Sequence, residues 1–209
     1  MPSRDTEGGR RVLKGKVYMD IYFKKEISYS FKDIVFSFDI GNTLFSTFDL
    51  DHGTDILIRA INPNNPKTIL DIGCGYGPLG IMLAKTNPQS QVVMVDRDLL
   101  AVRYSNYNIA KNGVTNAKAI GSLGVEAVKD QKFDLIVSNI PAKIGDEAIK
   151  QEFVLEPMSC LNPGGEYWVV VVSALNRLIP KIAREHDLHV EEIRKRNGHT
   201  VYRFKQVQN

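Results

Sequence analysis

Cysteine is nearly missing: Cys74 and Cys160 are the only two thiols in 209 residues. Two thiols so far apart build no disulfide framework, which excludes the small stapled folds. His52, His186, His189 and His199 show no metal-ligand spacing, so no metal is expected. No apolar run is long enough to span a bilayer, and the polar, basic start MPSRDTEGGRRVLKGK has no apolar core of a secretory leader. The expectation is a cytoplasmic protein that does not enter membranes. Neither sign of charge dominates, with Lys+Arg 27 against Asp+Glu 24 and a net charge of +3. That mild basicity permits a polyanionic partner without requiring one. Internal repeats and low-complexity tracts are absent.

What is present suits one core, since 43% of the residues are hydrophobic and 24% charged. Residues 1–16 read as a flexible basic arm, and 17–209 as a single domain. Aromatic and β-branched residues near period two predict short strands or a hairpin over 16–39. Residues 51–61 read as a short helix capped by Asp51 or Thr54. Apolar runs then alternate with helical spacing. Strands are expected at 68–72, 91–96, 116–120, 133–139 and 166–172, and helices at 75–86, 98–113, 146–161 and 174–186. Asn162-Pro163-Gly164-Gly165 reads as the break after the third of these helices. Residues 188–196 and 199–204 flank Asn197-Gly198, the favoured two-residue hairpin turn. Alternation of this kind, with strands apolar on both faces, predicts a parallel α/β sheet covered by helices on both sides. Ligands bind such sheets beyond the carboxyl ends of the strands, where strand order reverses.

The stretch LDIGCGYGPLG (70–80) lies at such an end. Gly75-x-Gly77-x-x-Gly80 fits a dinucleotide fingerprint, but that fingerprint wants its first glycine where the strand ends, and Gly73 holds that place. Asp71 discriminates further. A carboxylate there would repel a pyrophosphate and welcome a ligand carrying an ammonium and a sulfonium, such as S-adenosylmethionine. Asp96, about twenty residues beyond the loop, suits two ribose hydroxyls; its plainer role is a helix N-cap. The run FDLIV ends in Asn139-Ile140-Pro141, which is either a strand-ending turn or a site that grips an amine.

These features together resemble the Rossmann-like S-adenosylmethionine-dependent methyltransferases, and more closely the methyltransferase small domain family. Its best-known relatives are the catalytic halves of bacterial small-subunit rRNA guanine-N2 methyltransferases. The resemblance runs from about Phe36 to Phe204. It rests on FS…LFSTFDLDHGTDIL (36–57), LDIGCGYGPLG, VDRD (95–98) and the Asn-x-Pro. It implies a doubly wound, seven-stranded, mostly parallel sheet with an antiparallel C-terminal hairpin strand. It assigns the methionine moiety to Asp71, Gly73 and Gly75, and the ribose to Asp96. Residues 17–60 would close the cofactor pocket, through Phe45, Asp51, Gly53 and Thr54; for Phe45 and Phe48 plain core packing is the alternative. Cys74, Gly77, Arg97 and Ser122 complete the cofactor set.

In related amine methyltransferases the motif is Asn-Pro-Pro-aromatic. The Asn side-chain carbonyl and the next backbone carbonyl accept the two N–H groups of an exocyclic amine, and the aromatic stacks on the base. The resemblance thus casts Asn139, Ile140 and Pro141 as catalytic. Ala142 stands where the aromatic would be, and GSLG (121–124) offers only Ser122 or Leu123 where many relatives hold the adenine with an acid. The acceptor implied is RNA, most of all ribosomal RNA. Arg194, Lys195, Arg196, Arg203 and Lys205, with Arg10, Arg11, Lys14 and Lys16, are either RNA-facing patches or a solvated surface. The rival readings are a small-molecule or protein acceptor and a non-catalytic cofactor- or RNA-binding module. A dehydrogenase is a further outsider.

Overall fold

The computed structural model describes residues 10–13, 16–42, 44 and 50–206. Phe45 and Phe48 lie outside these residues, as does Lys14; so do the side chains of Arg10, Arg11 and Lys16. Backbone pairing joins β1 (Arg10–Leu13) to β2 (Lys16–Met19) as an antiparallel ribbon. Residues 10–13, read from sequence as part of the arm, are therefore a strand. A second hairpin follows, β3 (Phe23–Phe31) and β4 (Ile34–Gly41). Its tip, Lys32-Asp33, has φ of 48° and 61°, the left-handed pair that suits the twist of a two-residue hairpin.

The main domain begins with α1 (His52–Ala60), capped by Asp51, whose carboxylate accepts from the Thr54 amide at 3.1 Å. Next come β5 (Thr68–Ile72), α2 (Pro78–Thr86), β6 (Gln91–Asp96), α3 (Leu99–Lys111), β7 (Ala117–Gly121) and β8 (Phe133–Asn139). The segment expected as one helix over 146–161 is α4 (Asp146–Lys150), a π turn (Gln151–Leu155) and α5 (Glu156–Ser159). Asn162–Gly165, expected as a break, instead lies within β9 (Leu161–Val172); the extra residues are absorbed as an irregularity opposite Phe133 and Leu135. α6 (Leu178–Glu185) tolerates Pro180 because it sits in the first turn, where its missing N–H has no helical partner. β10 (His189–Arg196) and β11 (His199–Lys205) close the chain, with Asn197 and Gly198 at φ 48° and 75°.

Seven of these strands form one sheet in the order β10-β11-β9-β8-β5-β6-β7. All neighbours from β9 to β7 run parallel; β11 is antiparallel to both β9 and β10. Alternate strand residues feed two cores. Ile69, Met94, Val137 and Val170 join Leu57, Ile81 and the hairpin's Phe36 and Phe38 on one face. Leu70, Val95, Ile136, Val169 and Phe204 join Ile149, Val154, Ile179 and Ile182 on the other. Each fully buried Leu, Ile or Phe contributes about 1.5–3 kcal/mol. Strand order reverses between β5 and β8, so the carboxyl ends of that pair mark the place where a ligand fits.

Candidate active site

The turn after β5 is shaped by main-chain bonds. The Gly73 and Cys74 amides both donate to the Val95 carbonyl, at 2.9 and 3.0 Å. Two polar residues of α3 hold the rest. Ser105 Oγ donates to the Gly75 carbonyl at 2.8 Å. Asn108, fully buried, donates from Nδ2 to the carbonyls of Tyr76 (2.8 Å) and Asp39 (2.9 Å) and accepts the Asp39 amide at 2.8 Å. Phe38 of the hairpin packs edge-on against Tyr76, centroids 5.9 Å apart. The turn is thus pinned from β6, from α3 and from the hairpin. Sequence reasoning missed Ser105 and Asn108; their signal was two polar residues three apart on an otherwise apolar helix face.

Gly75 has φ 58°, and a Cβ built there would meet nothing within 4 Å. Backbone is therefore bare on the side facing out of the sheet, where a ligand can lie against it. Gly77 serves packing instead: a Cβ there would strike Ile81 Cδ1 and Met94 Cε, each at 2.9 Å. Cys74 is buried, and burial pushes its thiol well up, with the nearby Asp71 adding to the effect. An inert small residue is what remains.

Asp71 departs from expectation. It is 1% exposed, and its Oδ2 accepts the Gly80 amide at 2.9 Å. Gly80 lies in the first turn of α2, whose N-cap Gly77 has no side chain to offer, so Asp71 caps that helix from the neighbouring strand. Burial lifts its carboxyl to about 7; the Gly80 bond pulls it down and the Asp96 charge adds to the rise. The Asp71 carboxylate therefore has no open face toward solvent; it lies behind the turn.

Asp96 is placed as expected, half-buried at the end of β6. Its Oδ2 accepts the Gly75 amide at 2.8 Å and its Oδ1 the Asp98 amide at 2.9 Å. The N-cap of α3 is Asp98, accepting from Leu100 at 2.8 Å, so Asp96 is not that cap. A carboxylate has about four acceptor positions, and each oxygen of Asp96 keeps one. Gly73, Gly75 and Asp96 fit a cofactor with a ribose and a flat backbone-hugging segment: bare backbone on one side, spare carboxylate acceptors on the other.

Across the reversal point, Ser138 pairs in register with Ile72, and its hydroxyl donates to the Ile72 carbonyl at 2.8 Å. Asn139 is the next residue of β8, at the carboxyl end of the strand that neighbours the glycine turn. Its Nδ2 donates to Asp51 Oδ1 at 2.6 Å and to Thr54 Oγ1 at 3.1 Å. Thr54, buried, thus serves Asn139 directly. The Ile140 amide donates to the Val170 carbonyl at 3.0 Å, fixing the next peptide. Asn139 Oδ1 has no partner among the described residues. Pro141, Ala142 and Lys143 are exposed.

Residues 36–203 match the Methyltransferase small domain. The chain belongs to the methyltransferase small domain family. Among relatives, it is 32% identical over 180 residues to Uncharacterized protein YbxB of Bacillus subtilis, covering 84% of this chain and 88% of that one. It is 32% identical over 146 residues to Ribosomal RNA small subunit methyltransferase C of Haemophilus influenzae, covering 68% of this chain and 43% of the relative. The chain thus spans less than half the length of that enzyme. Among solved structures, the Thermus thermophilus 16S rRNA N2 G1207 methyltransferase, in complex with AdoMet and guanosine, superposes with a TM-score of 0.75 at 22% identity, over 91% of this chain and 52% of that one. A methyltransferase from Pyrococcus furiosus gives a TM-score of 0.65 at 22% identity, over 80% and 88%.

As a member of the methyltransferase small domain family the chain is an S-adenosylmethionine-dependent methyltransferase. Within that frame the remaining expected residues divide. Arg97 follows Asp96 and is exposed. The Ser122 hydroxyl donates to the Gly124 carbonyl and accepts the Ala127 amide, both at 3.0 Å, so it closes its own turn. The large apolar side chains exposed at this edge are Leu99 (72%) and Leu123 (54%), after β6 and β7. Leu99 was not singled out from sequence, because it reads as an ordinary first-turn helix residue. No group of three metal-ligating side chains occurs among the described residues, and no described helix is long and apolar enough to cross a membrane.

Proposed function

We propose that this methyltransferase modifies an exocyclic amine of an RNA base, with guanine N2 in ribosomal RNA the leading acceptor. The observation that carries this is Asn139. It ends β8 beside the glycine turn, its amide nitrogen engaged and its Oδ1 left as an acceptor. An exocyclic amine is a poor nucleophile because its lone pair is delocalised into the ring. Asn139 Oδ1 and the Ile140 carbonyl would accept its two N–H groups, orient the nitrogen and offset the positive charge that grows on it. S-adenosylmethionine supplies the electrophilic methyl group. Gly73, Gly75 and Asp96 would hold it, and Leu99 and Leu123 would flank its flat ring. The base itself must be unpaired or flipped out to reach Asn139.

Charge supports RNA as the acceptor. Arg203 and Lys205 are engaged by Glu166 and Glu191. Arg194, Lys195 and Arg196 are exposed and have no ion-pair partner among the described residues. Their register supports a position near the proposed site: Arg196 faces His199, His199 faces Val172, and Asn139 faces Val170 on the same strand. β10 is three strands from β8, roughly 14 Å away, within the span of a few nucleotides. The names of the Haemophilus relative and the Thermus neighbour point to the same acceptor. Work on ribosomal RNA would place the protein in the cytoplasm.

Incubating the protein with tritium-labelled cofactor and a cell extract, then separating RNA, protein and small molecules, tests the acceptor. Label in RNA is expected; label confined to protein or small molecules overturns the proposal. Asn139→Ala should lower incorporation by ~10²–10³-fold while changing cofactor affinity little.

A further inference from the structure

We infer that Asp51 is a positioning residue for Asn139, setting which way round its amide sits. The inference rests on the reading that Asn139 Oδ1 accepts the substrate amine. An asparagine amide can face either way, and only one way leaves an acceptor pointing at the substrate. Two groups take up the Asn139 NH₂: Asp51 Oδ1 at 2.6 Å and Thr54 Oγ1 at 3.1 Å. The threonine hydroxyl donates as readily as it accepts, so it would tolerate either orientation. The carboxylate cannot donate. A reversed amide would press Asn139 Oδ1 against Asp51 Oδ1, losing a charge-assisted bond and setting two acceptors face to face.

Asp51 is itself fixed. As the N-cap of α1 it accepts the Thr54 amide at 3.1 Å. Gly53 permits the approach: a Cβ there would stand 2.9 Å from Asp51 Oδ1 and 3.2 Å from both heteroatoms of the Asn139 amide. The start of α1 is thus built around the end of β8, 88 residues away in sequence.

Asp51→Ser isolates the effect. Serine keeps a good N-cap but is too short to reach Asn139. Single-turnover methyl transfer to RNA should fall by ~10²-fold, with cofactor Kd and Tm little changed. In an Asn139→Ala background the same substitution should cause no further loss, because Asp51 acts through the missing amide. Asp51→Asn, which keeps both cap and bulk, should lose less. In ¹⁵N–¹H spectra the Asn139 side-chain amide pair should be slow to exchange in the wild type, and should move to the exposed-asparagine position in Asp51→Ser. Equal loss in both backgrounds, or an unmoved amide pair, overturns the inference. If the wild type labels no RNA, the acceptor reading fails by itself and the amide spectrum alone decides the role of Asp51.

Discussion

The Asp96 carboxylate accepts the Gly75 amide at 2.8 Å, joining the end of β6 to the barest point of the glycine turn. Asp96→Ala removes that bond and the acceptors left for a ribose. Two charge-assisted bonds at about 1.5 kcal/mol each amount to ~10²-fold in affinity. Calorimetric titration with S-adenosylmethionine should show a loss of that order, with Asp96→Asn falling between the two. A change under threefold for Asp96→Ala would remove Asp96 from the site.

Gly75→Ala and Gly77→Ala should separate binding from folding. At Gly75 the left-handed backbone costs an L-residue about 1–2 kcal/mol, and the new methyl enters space kept for the ligand. Cofactor affinity should fall by more than stability does. At Gly77 the methyl strikes Ile81 and Met94, so urea unfolding should record the larger loss. Identical profiles for the two variants would contradict the division.

Asp71 should leave a mark on the pH dependence of stability. Its folded carboxyl, raised by burial to about 7, lies above its ordinary value of 3.8. Between those values the folded state holds a proton that the unfolded state gives up. Its contribution is therefore complete below about 3.8 and is lost as pH rises through about 7. Urea midpoints from pH 4 to 8 should fall more steeply for the wild type than for Asp71→Asn. A cationic ligand close by would favour the ionised form, so cofactor binding near pH 7 should release protons, visible as a dependence of the calorimetric heat on buffer. The buffer dependence should vanish in Asp71→Asn.

Removing the rim charges tests the RNA face without any catalysis. Each phosphate contact with single-stranded RNA contributes about 0.7 to the slope of log affinity against log salt. Replacing Arg194, Lys195 and Arg196 by alanine should therefore flatten that slope by about 2 if all three touch phosphate. Filter binding between low and moderate salt measures it. An unchanged slope would mean that these residues guard the open edge of β10 against strand addition, the other use of charge at such a place.

Legibility followed sequence distance. The parallel sheet was readable because strands buried on both faces carry unbroken apolar runs, as in QVVMVD and YWVVVV. The last hairpin was readable because Asn197-Gly198 adopts the backbone that its residues favour. Pairings made across the fold were not readable. Nothing local tells that Asp51 meets Asn139, or that Asn108 meets Asp39, 69 residues away. Asp71 was legible as a carboxylate at a strand end, but its burial beneath the first turn of α2 was not, because a sequence does not show the helix that covers it. The helix over 146–161 and the Asn162–Gly165 break were drawn too simply, because a π turn and a bulge absorb extra residues inside an element without marking its end in the apolar pattern.

The two-way bonding of Asn108 to the Asp39 backbone, alongside its grip on Tyr76, ties the β3–β4 hairpin to the glycine turn. A version of the protein begun at α1 would retain every strand of the large sheet yet lose the Asp39 bonds and the Phe38 packing that steady the turn. The shape of the proposed cofactor site then depends in part on a ribbon that contributes no strand to that sheet.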